Sequence, residues 1–235
     1  MRSPLNKRLF RELRGEFGKY LVIFILMTLT IGMVSGFLVA DGSMIQAYEE
    51  SFEKYSIENG HFRTEKKMNN AQIQDIEDLG IKLYENYYVE EALTNGSTMR
   101  IFKNCDEVNK VCLMKGKMPE KPGEIGIDRM YADNNNLSVG DEIESGGHTW
   151  KITGLVALSD YSALFSNNND SMFDSVKFGV SVVCPEEFDS YKADQLNYSY
   201  AWKYNTEPKN EKAEKDISED LMEDVAKEVT LEEFV

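Results

Sequence analysis

Two histidines, three cysteines and one run of amides are the residues whose chemistry is scarce enough here to mark a site. His61 and His148, taken with Cys105, Cys112 and Cys184, are too few and too scattered for zinc, and no Cys-x-x-Cys pair occurs. Three cysteines at this density do not read as a disulfide framework. Either Cys105 and Cys112 pair across a hairpin or, in the plainer reading, all three are small, mostly buried side chains. Asn167-Asn168-Asn169-Asp170 with Asp174 offers oxygens to calcium but lacks the alternating ligand spacing and closing Glu, so a polar loop is expected. The many carboxylates are scattered and read as surface. No Gly-x-x-x-x-Gly-Lys-Ser/Thr loop, Gly-x-Ser-x-Gly elbow or His-Glu-x-x-His helix is present. The expectation is no catalytic residue, no metal ligand, no cofactor and no enzymatic activity.

The element that positions everything else is residues 20–40, YLVIFILMTLTIGMVSGFLVA, twenty-one residues without a charge. As a helix it measures about 31 Å, which matches a hydrocarbon core about 30 Å thick. Residues 1–19 carry six basic and two acidic side chains, a net +4; the chain is −15 overall, which leaves −19 for residues 41–235. Basic flanks mark the cytoplasmic side of a span. The N-terminus is therefore expected in the cytoplasm and the acidic remainder outside the cell membrane. A cleaved signal peptide would have a shorter apolar core and an A-x-A-like site, which Leu38-Val39-Ala40 matches poorly. A retained anchor is expected. With no basic stripe beyond residue 19, a nucleic-acid partner is excluded.

Residues 4–19 have apolar side chains at every fourth position (Leu5, Leu9, Leu13, Phe17), which predicts an amphipathic basic helix on the bilayer surface. Gly32 and Gly36, with Ser35 adjacent, form a Gly-x-x-x-Gly face on which another span can pack closely. Helical spacing continues through Met44, Ala47, Tyr48, Phe52 and Tyr55, which predicts a stalk over 41–56. Residues 57–235 then read as a mixed α+β domain. Strands are expected at 60–64, 81–93, 98–103, 125–127, 148–158, 177–184 and 197–204. Short helices are expected at 71–79, 131–135 and 185–192. Closely spaced strands and glycines over 115–158 predict a small β-rich subdomain or partial barrel, with Gly123, Gly140, Asp141 and Gly154 at its turns. Residues 207–233, eleven acids and four lysines around a stripe of Ala213, Ile217, Leu221, Val225 and Val229, predict a solvated helix laid on a sheet.

Two blocks carry a family resemblance. RELRGEFGKYLVIFILMTLTIGMVSGFLVADGSM resembles the first membrane helix of FtsX-like, MacB-type ABC transporter permeases. LMKGKMPEKPGEIGIDRMYADNNNLSVGDEIESGGHTWKITGLV resembles their extracytoplasmic domain, with Gly116, Pro119, Gly123, Glu124, Ile125, Val139, Gly140, Asp141, Ile143, Gly154 and Val156 matching the pattern. The resemblance implies the first third or so of a four-span permease, hence a truncated chain. It implies a lipid bilayer, a separate cytoplasmic ATP-binding subunit and a second permease copy or homologue as partners. The activity it implies is coupling of ATP hydrolysis to motion of the outer domain, for transport or force transmission. A different class, a single-pass anchored binding protein or sensor without an ATPase, uses the same elements.

Overall fold

The computed structural model describes residues 14–145, 147–161, 163–167, 171–229 and 231–234. The chain divides into two units, Met1–Ser51 and Phe52–Val235.

The first unit is helical. Helix α1, Phe17–Tyr55, runs for 39 residues without a break, about 58 Å at the standard rise. Its apolar residues are bare: Phe24, Leu29 and Leu38 are 67%, 67% and 70% exposed. A bare stripe of this extent needs an apolar environment around it. The two polar side chains inside the apolar run are satisfied within the helix. Thr28 Oγ1 donates to the Phe24 carbonyl and Thr30 Oγ1 to the Leu26 carbonyl, each at 2.8 Å. The expected amphipathic helix falls largely on residues 4–13, which lie outside the described residues.

The last turn of α1 belongs to the second unit. It ends where Ser56 takes a left-handed backbone, φ 51°. Ile57 N–H then donates to the Phe52 carbonyl (3.0 Å) and Ser56 N–H to that of Glu53 (3.3 Å). This six-to-one and five-to-two pair closes the helix with a serine where glycine is commonest. Asn109 N–H donates to the Ser56 carbonyl (3.1 Å) and Lys110 N–H to that of Tyr55 (2.8 Å), which ties the cap to a distant loop.

The elements that follow are β1 (Gly60–Thr64), α2 (Asn70–Glu77), β2 (Ile81–Glu85), β3 (Tyr88–Ala92), β4 (Thr98–Lys103), β5 (Cys112–Gly116), β6 (Glu124–Asp128), α3 (Arg129–Asn134), β7 (Glu142–Ser145), β8 (His148–Ala157), β9 (Phe178–Val183), α4 (Pro185–Phe188), β10 (Tyr198–Tyr204), α5 (Glu211–Glu228) and β11 (Leu231–Phe234). They build two sheets. One has the order β11-β1-β10-β2; the other runs β3-β4-β9-β6-β8-β5, with β7 also on β8. The second sheet curls back on itself. Leu93, just past β3, bridges Ser145 at the end of β7, and Thr94 N–H donates to the Glu144 carbonyl at 3.1 Å. The partial barrel expected over 115–158 thus shares its sheet with β3, β4 and β9. Its inner wall is apolar on both sides of the seam: Met99, Ile101, Ile125, Ile127, Trp150, Ile152 and Val180 are all but fully buried.

Several expectations shift. The single strand over 81–93 is two strands in different sheets. The chain crosses at Asn86-Tyr87, where Asn86 N–H donates to the Ser199 carbonyl (2.9 Å) before Tyr88 starts the barrel edge. Cys112–Gly116, where no strand is expected, is strand β5, and Leu113 and Met114 stay exposed because it forms the sheet's edge. The helix over 207–233 is shorter. Asn210 caps its start by accepting from Ala213 N–H, and past Val229 the chain turns extended and pairs with β1 as β11. Leu221 and Val225 of its stripe are buried in the core. Gly154 is not at a turn. It lies inside β8, and a Cβ there would approach the Lys117 carbonyl oxygen to 2.5 Å.

Candidate functional site

The expected site residues do not converge. Gly32, Ser35 and Gly36 lie on the exposed helix with open space at both glycines. Gly123 and Gly140 are at turns of the barrel with φ 80° and 104°, a backbone that L side chains rarely adopt. Gly123 N–H donates to Glu187 Oε2 at 2.7 Å. Asp141 holds the second turn: its Oδ2 accepts from Ser138 N–H at 2.8 Å, while Gly140 N–H donates to the Ile152 carbonyl at 2.8 Å. These residues shape the turns of the domain. Cys105 and Cys112 are free and half-buried, and only Cys184 is fully buried. The amide run falls partly on 168–170, outside the described residues. No trio of His, Cys, Asp or Glu suited to a metal ion occurs among the described residues.

The groups that do converge lie where the two sheets meet. There a cavity of about 190 Å³ is lined by His61 and Arg63 of β1, Tyr88 of β3, Arg100 and Phe102 of β4, and Asp160 and Tyr161 of the segment after β8. Meetings of structural layers are where pockets form. Arg100, 8% exposed, is the most heavily engaged side chain. Its Nη1 donates to Tyr161 Oη (2.7 Å), its Nη2 to the Ser166 carbonyl (2.8 Å), and its guanidinium lies 4.4 Å from the Tyr88 ring centre. Burial alone works to discharge it; Tyr161, Tyr88 and Glu90 outweigh that and hold its pKa above the ordinary value. Arg63 Nη1 donates to Tyr88 Oη at 2.6 Å.

On the other side of the cavity is an acidic cluster. Glu58, three residues past α1, accepts from His61 Nδ1–H at 2.6 Å through Oε1 and from the Asn109 side-chain amide through Oε2. Its backbone N–H donates back to Asn109 Oδ1 at 2.9 Å. Asp160 faces this group. The residue as a whole is partly covered, but Oδ1 is sealed from solvent and has no hydrogen-bond partner. Burial first, then the nearby Glu58 carboxylate, pushes the Asp160 carboxyl up to about 7 against the pull of its own N–H, His61 and Asn86. Burial likewise raises the Tyr161 hydroxyl.

The reading of all carboxylates as surface groups is thereby corrected for Glu58 and Asp160. No local signal marks either. Asp160 stands between Ser159 and Tyr161 in what reads as an ordinary polar turn, and it becomes special only when a remote helix exit is brought against it.

With this geometry in hand, two solved structures provide comparison. One is the extracellular domain of the noncanonic ABC-type transporter YknZ from Gram-positive bacteria, at 12% identity and TM-score 0.37, covering 68% of this chain and 87% of that one. The other is the periplasmic region of MacB from Actinobacillus actinomycetemcomitans, at 12% identity and TM-score 0.37, covering 75% of this chain and 86% of that one. The chain is similar to both. No family model matches it, and no curated protein does.

Proposed function

We propose that this chain is a membrane subunit of an ABC-type permease, with its N-terminus in the cytoplasm and its α+β domain outside. It works with a separate ATP-binding subunit, beside a second permease copy or homologue, and has no enzymatic activity of its own. The observation that carries this reading is α1: 39 unbroken residues whose bare apolar half is as long as a bilayer core is thick, and whose final turn is capped from within the α+β domain. A helix built so is suited to passing force rather than solute. About 20 residues cross the hydrocarbon, which leaves roughly half of the helix as the stalk. The +4 charge ahead of the span and −19 behind it support the orientation.

The test is purification of the full chain from membranes in mild detergent. Co-purification of an ATP-binding subunit is expected. Replacing both Gly32 and Gly36 with Leu is expected to abolish that assembly while insertion persists, because bulk there blocks close helix approach. If the double variant assembles like the parent, the packing face is wrong. A native protein that brings down no ATPase points to the second reading, an anchored sensor, which the cavity between the two sheets favours. Orientation is tested separately by membrane-impermeant thiol labelling of intact cells, with the native cysteines replaced. A cysteine at the exposed Asp75 is expected to react and one at Ser3 to stay protected.

A further inference from the structure

Three segments remote in sequence meet at the Asp160 cluster: the exit of α1 running into β1, with Glu58 and His61, the loop that carries Asn109, and the turn after β8. The same corner holds Asn109 and Lys110, whose backbone N–H groups bind the last carbonyls of the helix. Asn109 also clamps Glu58 from both its amide and its carbonyl oxygen. Nothing in the sheets requires an acid at 160, and a sealed carboxylate oxygen without a partner is costly when charged.

We propose that Glu58, His61 and Asp160 form a proton-operated latch, which holds the turn after β8 and the exit of α1 in place while Asp160 is protonated and releases them when it ionises.

The charged and titratable groups around Asp160 determine the direction. Glu58 faces it from the helix exit and His61 from β1. Arg63 of β1 and Arg100 of β4 line the same cavity, as do Tyr88 of β3 and the neighbouring Tyr161. Both arginines are engaged by other groups there: Arg63 donates to Tyr88, and Arg100 to Glu90, Tyr161 and the Ser166 carbonyl. Among the charges that act on Asp160, Glu58 comes first, ahead of His61, and it is of the same sign. Protonated Asp160 coexists with Glu58. Ionised Asp160 puts two carboxylates in one water-poor corner, and the adjoining cavity gives water a way in as the turn moves off. The latch needs no ATPase partner, so its fate is independent of the permease reading.

The experiment is hydrogen exchange on the full chain in detergent, corrected for the intrinsic pH dependence of exchange. The reporters are the backbone N–H groups of Asn109 and Lys110, with Val182 in the barrel as internal reference. Their protection is expected to fall at least tenfold between about pH 6 and 8 in the parent, while Val182 stays level. In Asp160→Asn, which keeps the shape and cannot ionise, protection is expected to stay constant. The same fall in Asp160→Asn overturns the proposal. Should that variant not fold, carbon-13 titration of the carboxyl groups in the parent decides. A carboxyl that titrates together with the loss of protection supports the latch, and its absence from that interval overturns it.

Discussion

Arg100 and Glu90 lie directly opposite each other on β4 and β3, and the guanidinium grips a single carboxylate oxygen, Oε1, through both Nε (2.9 Å) and Nη2 (2.7 Å). The two ends of the pair differ in environment: the Arg100 side chain is 10% exposed and that of Glu90 40%. The carboxylate therefore keeps water as an alternative partner, whereas the guanidinium does not. Arg100→Met is expected to destabilise the domain by about 2–3 kcal/mol, since it strands Tyr161 and the Ser166 carbonyl as well. Glu90→Gln is expected to cost only about 1 kcal/mol. Arg100→Lys does not rescue, because one ammonium lacks the planar fork that reaches three partners at once. Denaturant titration of the full chain in detergent measures all three, and equal losses for Met and Gln would refute the assignment.

Tyr131 of α3 packs its ring against the backbone of Gly179 in β9, where a Cβ would lie 2.6 Å from the ring's Cγ. Tyr131 is fully buried, its hydroxyl shared with Ser97 at 2.6 Å, so it cannot swing aside. Gly179→Ala is expected to cost about 2 kcal/mol or more through overpacking. Combining it with Tyr131→Leu should cost clearly less than the sum of the two single changes. Strict additivity in a double-variant cycle would show that the two sites do not press on each other.

The helix cap makes the opposite prediction. Ser56 holds φ 51° at the position where glycine is commonest, and its side chain accepts from Lys203 Nζ at a long 3.3 Å. Ser56→Gly is expected to raise stability by about 0.5–1 kcal/mol. A melting temperature that falls instead would mean the serine side chain matters more than its backbone angle.

Gly140 and Gly154 are both required, for different reasons. At Gly140 there is open space but φ is 104°, so Gly140→Val is expected to cost more than about 1 kcal/mol purely through backbone strain. At Gly154 the backbone angle is ordinary, but a Cβ meets the Lys117 carbonyl at 2.5 Å, so even Ala is expected to cost about 2 kcal/mol. Replacing Gly140 with Asn, the residue that best tolerates positive φ, should recover part of the loss; the same choice at Gly154 should be worse than Ala. Thermal unfolding of the four variants separates strain from collision.

What the sequence made legible depended on how local the signal was. The uncharged run over 20–40 and the continued spacing to Tyr55 predict one long helix, and α1 is that helix. Short apolar and aromatic runs located β1, β4, β9 and β10; β9 is buried at every position and so shows no alternation at all. The break at Asn86-Tyr87 was invisible, since both halves of 81–93 have the same apolar texture and only the partners, β10 on one side and β4 on the other, divide them. Strand β11 was lost in the acidic helix because its pairing with β1 joins residues some 170 positions apart. Gly154 reads as a turn glycine because a glycine inside a strand looks the same in sequence whether it bends the chain or lets another backbone come near. The Asp160 cluster was illegible for the strongest reason: its chemistry arises from burial by three distant segments, and no spacing encodes that.

One feature of the four-stranded sheet bears on how such a domain is carried. Strand β1, by which the chain enters from α1, and β11 are antiparallel neighbours, with Phe62 opposite Phe234. The strand by which the chain enters from α1 and its last described strand therefore stand side by side at one edge of the module. A module held by adjacent ends behaves as a cassette. It can be lengthened, replaced or lifted out without rethreading the barrel, because every barrel strand lies between those two ends. A loop grafted at this edge would leave the core layers undisturbed, whereas the same insertion between β4 and β9 would have to part a parallel pair inside the sheet.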